Sequence, residues 1–296
     1  MNLALIEPAD ARAGLRLVRA KDELRSAVAE PRRAGSSIGL VPTMGFLHEG
    51  HLSLLRAARE ECDFVVMTLF VNPTQFGPRE DLDRYPRDED RDVRLAAEAG
   101  VDVVFAPPVD EVYAKGFSTH VEVEGLTEVL DGAPGRRGPG HFRGVTTVVA
   151  KLFNAVGPDV AYFGQKDAQQ AVVIRRMVRD LDFPVRIEVL PTVREPDGLA
   201  MSSRNSYLAP DERQRATALF RALQAVERVA REESLAAGLE AGRRELGEAG
   251  IDPEYLEAGD ADDLSPVAEL SSRPVLVAVA ARVGGTRLID NILIEP

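Results

Sequence analysis

One short stretch constrains the fold of this chain more than any other. An apolar run at residues 38–41 leads through a turn containing glycine into a helical pattern in which Leu52, Leu55 and Ala58 share one face. A second apolar run follows at residues 64–71. Strand, turn, helix and strand in so few residues predict a βαβ unit, which requires parallel strands and a right-handed crossover.

The rest of the pattern extends this unit into an α/β fold. Further strands are predicted at residues 15–18, 101–106, 119–123, 160–163 and 185–190. Helices are predicted at residues 22–33, with Asp22 as the N-cap, and at 145–156 and 168–181. We therefore predict a Rossmann-like parallel sheet with helices on both faces.

A change of pattern near Thr192 predicts a second domain. Two helices and three short strands are predicted after it, at residues 210–232, 235–249, 255–257, 275–281 and 287–294. We expect residues 1–192 to form the Rossmann-like domain and residues 193–296 a smaller α+β domain.

Composition limits the classes of partner. The chain has 296 residues, 45% of them apolar, and a formal net charge of −12, which argues against nucleic acid and anionic membranes as partners. The apolar patch at residues 1–7 is too short for a signal peptide, and no apolar run approaches the ~20 residues of a membrane helix. The single cysteine, Cys62, is expected in the core, and we expect a cytoplasmic protein.

Two histidines stand where the predicted helix of the βαβ unit begins. His48 and His51 are three residues apart, so they project from one face beside free backbone N–H groups, and Gly45 and Gly50 let backbone approach a bulky ligand. This predicts an anion site, with helix-surface polar residues as an equally weighted alternative. A zinc helix is less favoured, because its two histidines would be four residues apart.

Three more polar segments follow predicted strands. Asn72 and Gln75 suit a ligand with hydroxyl and carboxylate groups, Lys166 suits a phosphate, and residues 201–204 (Met-Ser-Ser-Arg) suit a triphosphate. The alternatives are turn chemistry for the first pair, surface charge for Lys166, and an ordinary loop for residues 201–204, since Ser-Ser-Arg is common in loops. Residues 79–94 are expected to be a solvated charged loop leading into a helix, and residues 131–144 either a mobile lid or a surface loop.

Four motifs at predicted strand ends, taken together, resemble one family. They occupy residues 42–51 (PTMGFLHEGH), 70–76 (FVNPTQF), 163–167 (FGQKD), and the pair 191–195 (PTVRE) and 201–205 (MSSRN). Over about residues 15–296 the chain closely resembles pantothenate synthetases, the pantoate:β-alanine ligases. The first and last motifs are also similar to those of the nucleotidyltransferase superfamily that includes class I aminoacyl-tRNA synthetases.

The resemblance implies a reaction in two steps. The carboxylate of pantoate attacks the α-phosphate of ATP to give pantoyl adenylate and pyrophosphate, and the amine of β-alanine then displaces AMP. It also implies a homodimer and a Mg²⁺ ion that arrives with ATP, with no metal ligand assigned to the protein.

The resemblance also implies roles for particular residues. The catalytic set would be His51 (as proton donor), His48, Lys166, Ser202, Ser203 and Arg204. The ATP site would be formed by Met44, Gly45, Phe46, Leu47, His48, Glu49, Gly50, His51, Gly164, Gln165, Lys166, Asp167, Val193, Met201, Ser202, Ser203 and Arg204. Pantoate and β-alanine would contact Gln75, Gln170 and Asn72.

The chain departs from the family pattern at two places. Phe46 stands where the family more often has alanine, and residues 136–142 (RRGPGHF) make the Arg-Pro-Gly-His-Phe loop longer, so that either Arg136 or Arg137 could reach the site.

Two other functions remain as alternatives: an adenylyltransferase that leaves AMP on its product, and a nucleotide-binding module without catalysis.

Overall fold

The structure is a computed structural model that describes residues 14–77 and 80–296. The predictions for residues 1–7 therefore lie outside the described residues. The strands are β1 (Arg16–Val18), β2 (Ile38–Thr43), β3 (Phe64–Leu69), β4 (Val103–Phe105), β5 (Val160–Gly164), β6 (Arg186–Leu190), β7 (Pro253–Asp260), β8 (Val275–Val283) and β9 (Thr286–Ile294). The helices are α1 (Lys21–Arg33), α2 (Glu49–Glu61), α3 (Glu89–Glu98), α4 (Val109–Val112), α5 (Pro139–Val156), α6 (Ala168–Asp180), α7 (Pro210–Ala216), α8 (Ala218–Glu232) and α9 (Leu235–Glu248).

The first six strands form one parallel sheet in the order β1-β4-β3-β2-β5-β6. The chain winds outward from β2 in one direction to β3 and β4, then crosses back to place β5 on the other side of β2. This reversal leaves a crevice at the carboxyl ends of β2 and β5, where open α/β sheets bind ligands. The predicted Rossmann-like fold is confirmed.

Helices cover both faces of this sheet because its central strands are apolar on both sides. Ile38 and Leu40 of β2 pack in one core with Leu24 of α1 and Ile174 of α6. Val41 of β2 packs on the opposite face in a core that includes α2 and α3. Cys62 is buried in this second core, as predicted.

The remaining strands form an antiparallel sheet in the order β7-β8-β9. In β8, Val277 and Val279 point into a core with α8 and α9, whereas Ala278 and Ala280 belong to the core on the α1 and α6 face of the large sheet. Because side chains alternate along a strand, β8 is buried on both faces and joins the two sheets.

Three predicted elements differ from the structure. Residues 119–123 are not a strand, because the Val121 N–H donates to Thr147 Oγ1 and the Val121 carbonyl accepts from Thr146 Oγ1 of α5, which satisfies the backbone without a partner strand. The predicted helix 210–232 is divided at Thr217. The N-cap of α1 is Ala20 and not Asp22, since the Glu23 carboxylate accepts from the Arg19 and Ala20 N–H groups.

Two polar segments that we predicted at the surface are partly buried. In residues 131–144 the helix α5 already begins at Pro139, and His141 and Phe142 are buried. In residues 79–94, Tyr85 and Asp92 are buried. Neither prediction could anticipate this burial, because it depends on contacts with residues distant in the sequence.

Gly144 offers a test of the packing between α5 and the 73–75 turn. A Cβ at Gly144 would lie 2.7 Å from Gln75 N and still nearer to the Thr74 carbonyl. Gly144→Ala should therefore lower the free energy of unfolding by about 1–3 kcal/mol, as overpacking does, in urea titrations. Gly140→Ala in the same helix has nothing within 4 Å of its new Cβ and should be neutral or stabilising. Equal losses in both variants would contradict this interpretation.

Candidate active site

A cleft opens at the carboxyl ends of the parallel strands, at the reversal between β2 and β5. It brings together most of the predicted site residues, which are Met44, His48, Gly50, His51, Asn72, Gln75, Gly164, Lys166, Asp167, Gln170, Val193, Met201, Ser202, Ser203 and Arg204. The four motifs, separated in sequence, therefore face one another across one space.

Five of the predicted ATP-site residues do not line this cleft: Gly45, Phe46, Leu47, Glu49 and Gln165. Leu47 is buried in the core beneath α2. Glu49 pairs with Arg56 on the helix surface. The Gln165 amide donates to Asn291 Oδ1. The side chains of Leu47, Glu49 and Gln165 are thus engaged by other parts of the protein.

The turn before α2 is held by a buried carboxylate. Asp92 Oδ2 accepts from the Phe46 N–H and Asp92 Oδ1 from the Leu47 N–H, both at 2.7 Å. Phe46 has a φ of +52°, a left-handed conformation that is uncommon outside glycine. Its ring lies 5.5 Å from the Arg91 guanidinium. Phe46 is thus directed away from the cleft, where it does not crowd the ligand space.

The two imidazoles at the start of α2, from the N-cap His48 and from His51, are in contact and poorly solvated. Their ring centroids are 4.0 Å apart. Burial, reinforced by the nearby Lys166, lowers the pKa of His48 to about 4. Burial, with the charges of His48 and Lys166, lowers the pKa of His51 well below its usual value. Both rings are therefore neutral at physiological pH.

The hydrogen bonds of these imidazoles leave N–H groups for a ligand. His51 Nδ1 accepts from the His48 backbone N–H at 3.3 Å, so the proton of the neutral His51 ring is assigned to Nε2. His48 Nδ1 is buried and has no partner among the described residues. Gly50 makes room for this ring, since a Cβ there would lie 3.0 Å from His48 Nδ1.

The first and last motifs touch each other. Ser203 Oγ donates to the Phe46 carbonyl at 3.4 Å. Ser202 Oγ accepts from the Arg204 N–H, which fixes the turn that carries the arginine. The segment 201–204 thus closes the cleft opposite the imidazoles.

Lys166 is positioned by the antiparallel sheet. Asn291 of β9 donates from Nδ2 to the carbonyls of Gln165 and Lys166, each at 2.9 Å. The Lys166 ammonium lies 3.3 Å from Asp167 Oδ1 and lines the cleft. Because Asn291 is buried, the short turn that presents the ammonium has a fixed backbone.

Two arginines of the cleft are held by consecutive carboxylates. Asp81 receives a bidentate contact from Arg204, at 2.9 and 3.0 Å, and Glu80 one from Arg137, at 2.8 and 2.9 Å. Arg136 instead bonds the Leu130 carbonyl and Glu257. Of the two adjacent arginines, Arg137 is therefore the one that reaches the cleft.

A chain of hydrogen bonds fixes the polar end of β3. Asn72 donates from Nδ2 to Gln75 Oε1 and the Gly144 carbonyl, both at 3.1 Å. The Arg137 guanidinium donates to His141 Nε2, so His141 donates from Nδ1 to the Gln75 carbonyl at 2.8 Å. Asn72 is occupied by these internal bonds, whereas the Gln75 side chain faces the cleft.

Sequence reasoning missed several of these supporting residues. Asp92 carried one local signal, because it lies four residues before Ala96 on the buried face of α3. His141 was identified only as part of the loop at residues 136–142 that resembles the family's Arg-Pro-Gly-His-Phe loop. Asn291 stands in a predicted strand, and no local pattern distinguishes it from a surface asparagine.

Residues 14–77 and 80–296 contain neither a cluster of metal-ligating side chains nor a helix suited to a membrane. No three His, Cys, Asp or Glu side chains there lie together as a metal site. No helix of that part of the chain is both long enough and apolar enough to cross a membrane.

Comparison with protein families identifies a match over almost the whole chain. The family model described as pantoate-beta-alanine ligase matches residues 16–293. A pantothenate synthetase of Moorella thermoacetica is 59% identical over 277 residues, which cover 92% of this chain and 96% of the relative. One of Roseiflexus castenholzii is 55% identical and covers 95% of this chain and 100% of the relative.

Solved structures agree with these matches. The crystal structure of a pantothenate synthetase from Thermus thermophilus superimposes with a TM-score of 0.89 at 50% identity, covering 95% of this chain and 100% of that one. A pantoate-beta-alanine ligase from Francisella tularensis, in complex with β-γ ATP and β-alanine, gives 0.80 at 31% identity and covers 95% and 98% of the two chains.

The buried imidazoles predict how stability depends on pH. Burial lowers the pKa of His141, as of His48, to about 4, against about 6.5 in an unfolded chain. Between these values the unfolded chain binds more protons, so the free energy of unfolding should fall as the pH falls from about 7 to about 5. Urea titrations across this range measure the slope.

A matched pair of variants isolates the contribution of one ring. His141→Gln should weaken the dependence of the unfolding free energy on pH. The number of protons taken up on unfolding should fall by about one in the same pH range. Thr119→Ala, at an exposed position whose side chain does not titrate, should keep the slope of the unsubstituted protein. A stability that does not change with pH would refute the neutral, buried imidazoles.

The carboxylate of Asp92 is open to a separate test. Asp92→Ala leaves the Phe46 and Leu47 N–H groups without an acceptor, which should cost about 2–4 kcal/mol in urea unfolding. Glu98→Ala, at an exposed position of the same helix, should change stability little. Similar stability of the two variants would show that Asp92 does not hold the turn.

Proposed function

The chain belongs to the pantoate-β-alanine ligase family and joins pantoate to β-alanine using ATP, and we propose that it does so in the cleft described above, through a pantoyl adenylate. The observation that carries the proposal is the meeting of His48, His51, Lys166 and the 201–204 segment on one cleft. Formation of an acyl adenylate needs donors that converge on the phosphates, and these groups can supply them. The adenylyltransferase and the non-catalytic module are disfavoured by the family membership.

The proposed first step is attack on phosphorus. A carboxylate oxygen of pantoate forms a bond to the α-phosphorus of ATP while the bond to pyrophosphate breaks. Negative charge then grows on the phosphate oxygens, which Lys166 and the N–H groups of His48 and His51 stabilise. Because His51 is neutral with its proton on Nε2, we assign it the role of hydrogen-bond donor to the phosphate.

The proposed second step forms the amide. The amine of β-alanine attacks the acyl carbon of the adenylate, loses a proton, and expels AMP. Gln75 and Gln170 line the cleft on the substrate side, and we propose that they orient pantoate, with Gln75 also contacting β-alanine. Asn72 would act through Gln75, which it holds by a hydrogen bond, and not by touching substrate.

We propose that ATP lies along the glycine turn and α2, with the nucleotide end between Val193 and Met201 and the phosphates toward Ser202, Ser203 and Arg204.

Glu80 and Asp81 hold Arg137 and Arg204, so these carboxylates do not offer free ligands for a metal ion. We propose that Mg²⁺ enters with ATP, bound mainly by phosphate oxygens and water, and withdraws charge from the phosphates.

Three further expectations stand as proposals, the first on the family resemblance and the other two on the composition and pattern of the sequence. We propose that the chain forms a homodimer, that it works in the cytoplasm, and that it divides into domains at residues 1–192 and 193–296.

Replacing the groups that contact the phosphates tests the first step. His51→Ala and Lys166→Ala should each slow adenylate formation by about a hundredfold or more, because each removes a contact that strengthens in the transition state. The measurement is exchange of labelled pyrophosphate into ATP, which requires pantoate but not β-alanine. His120→Ala, at an exposed position, is the control and should exchange at the normal rate.

Measuring AMP release, alongside the exchange assay, tests the reaction type. AMP should appear in a stoichiometric amount only after β-alanine is added to enzyme, ATP and pantoate. Normal exchange in both variants would overturn the assignment of the phosphate contacts, and exchange without pantoate would overturn the adenylate.

A further inference from the structure

Two hydroxyls in the cleft, those of Thr68 and Thr192, are buried without a hydrogen-bond partner among the described residues, and Thr192 adjoins Val193, which we placed at the nucleotide end. Thr68, near the end of β3, is only 1% exposed and lines the cleft, and its Oγ1 has no hydrogen-bond partner among the described residues. The contrast is Thr43 of the neighbouring strand, whose hydroxyl donates to the Thr68 carbonyl and accepts from the Gly45 N–H. A buried hydroxyl without a partner costs free energy, so it is uncommon in a folded protein unless a ligand completes it.

The direction of the Thr68 side chain places this hydroxyl against an apolar wall. Side chains alternate along a strand, so Thr68 shares a face with Val66 and Phe70, which pack in the core on the α1 and α5 side. Phe142 and Val145 of α5 belong to that core and also line the cleft. This part of the cleft is therefore apolar, with the Thr68 hydroxyl as a polar point within it.

The chemistry of pantoate matches this arrangement and rests on the function proposed above. Pantoate carries its carboxylate at one end, a carbon with two methyl groups in the middle, and a primary hydroxyl on C4 at the other end. The carboxylate must lie at the imidazoles and phosphates. The methyl groups suit the apolar wall, and the C4 hydroxyl then needs a polar partner farther in.

We propose that Thr68 recognises the C4 hydroxyl of pantoate and so selects pantoate among branched 2-hydroxy acids. A threonine hydroxyl can donate one hydrogen bond and accept others, which suits an alcohol. A site built to hydrogen-bond a substrate hydroxyl rejects the analogue that lacks it, because the buried protein group is then left without a partner.

The test compares pantoate with 2-hydroxy-3,3-dimethylbutanoate, which lacks only the C4 hydroxyl. The unsubstituted enzyme should prefer pantoate by roughly tenfold to a hundredfold or more in kcat/KM. Thr68→Val keeps the shape and removes the hydroxyl, so its preference should fall to within about threefold, mainly through a higher KM for pantoate. Its KM values for ATP and β-alanine should not change.

Two further variants control the result. Thr68→Ser retains the hydroxyl and should keep most of the preference. Thr127→Val removes another buried threonine hydroxyl, one that bonds the Val123 carbonyl outside the cleft, and should keep the full preference. Thermal unfolding of Thr68→Val should begin no earlier than that of the unsubstituted protein, because no internal hydrogen bond is lost; if the variant does not fold, Thr68→Ala takes its place.

The outcomes separate this proposal from the function on which it rests. A folded Thr68→Val that still prefers pantoate over the analogue overturns the proposal, whatever its total activity. So does a variant that instead loses discrimination against the analogue lacking the C2 hydroxyl, because Thr68 would then lie at the wrong end of the substrate. Absence of AMP formation by the unsubstituted enzyme would refute the ligase function itself.

Discussion

The contact between Asp92 and the glycine turn is the interaction on which the rest of the site depends. The turn must bring backbone N–H groups and two imidazoles to one edge of the sheet, and it passes through a left-handed residue, Phe46, where most side chains are strained. The two 2.7 Å hydrogen bonds to the Asp92 carboxylate hold this conformation. Because α2 begins immediately afterwards, the same bonds set the direction of His48 and His51.

Burial and internal pairing explain how a chain of net charge −12 can hold a polyanion. The imidazoles are uncharged and so offer N–H donors without repelling Lys166. Arg137 and Arg204 are each fixed by a carboxylate, which orders their guanidinium groups before a nucleotide arrives. The hydrogen-bond donors of the cleft are thus already in place. They need little reorganisation when negative charge moves from the carboxylate to the phosphate.

Much of the fold could be predicted from the sequence because periodicity records which faces are buried. The strands flanking α2, the helix after Lys166 and the late antiparallel strands were all visible in this way. Residues 119–123 misled the prediction, since alternation shows a half-buried extended segment but not whether its backbone bonds a strand or, as here, the threonines of α5. The positions of Asp92 and Arg137 depend on partners far away in sequence, which no local pattern contains.

The position of Lys166 shows why the antiparallel sheet matters to chemistry on the parallel one. The Lys166 turn is bonded by Asn291 of β9, and the next residue of that strand toward the N-terminus, Asp290, forms a bidentate pair with Arg194. Arg194 lies at the start of the segment that leads to Ser203 and Arg204. One strand therefore fixes both the backbone turn that carries Lys166 and the segment opposite it. Both sides of the nucleotide site, the Lys166 turn and the 201–204 segment, are thus attached to β9. A nucleotide bound between them would meet a geometry that the fold has already set.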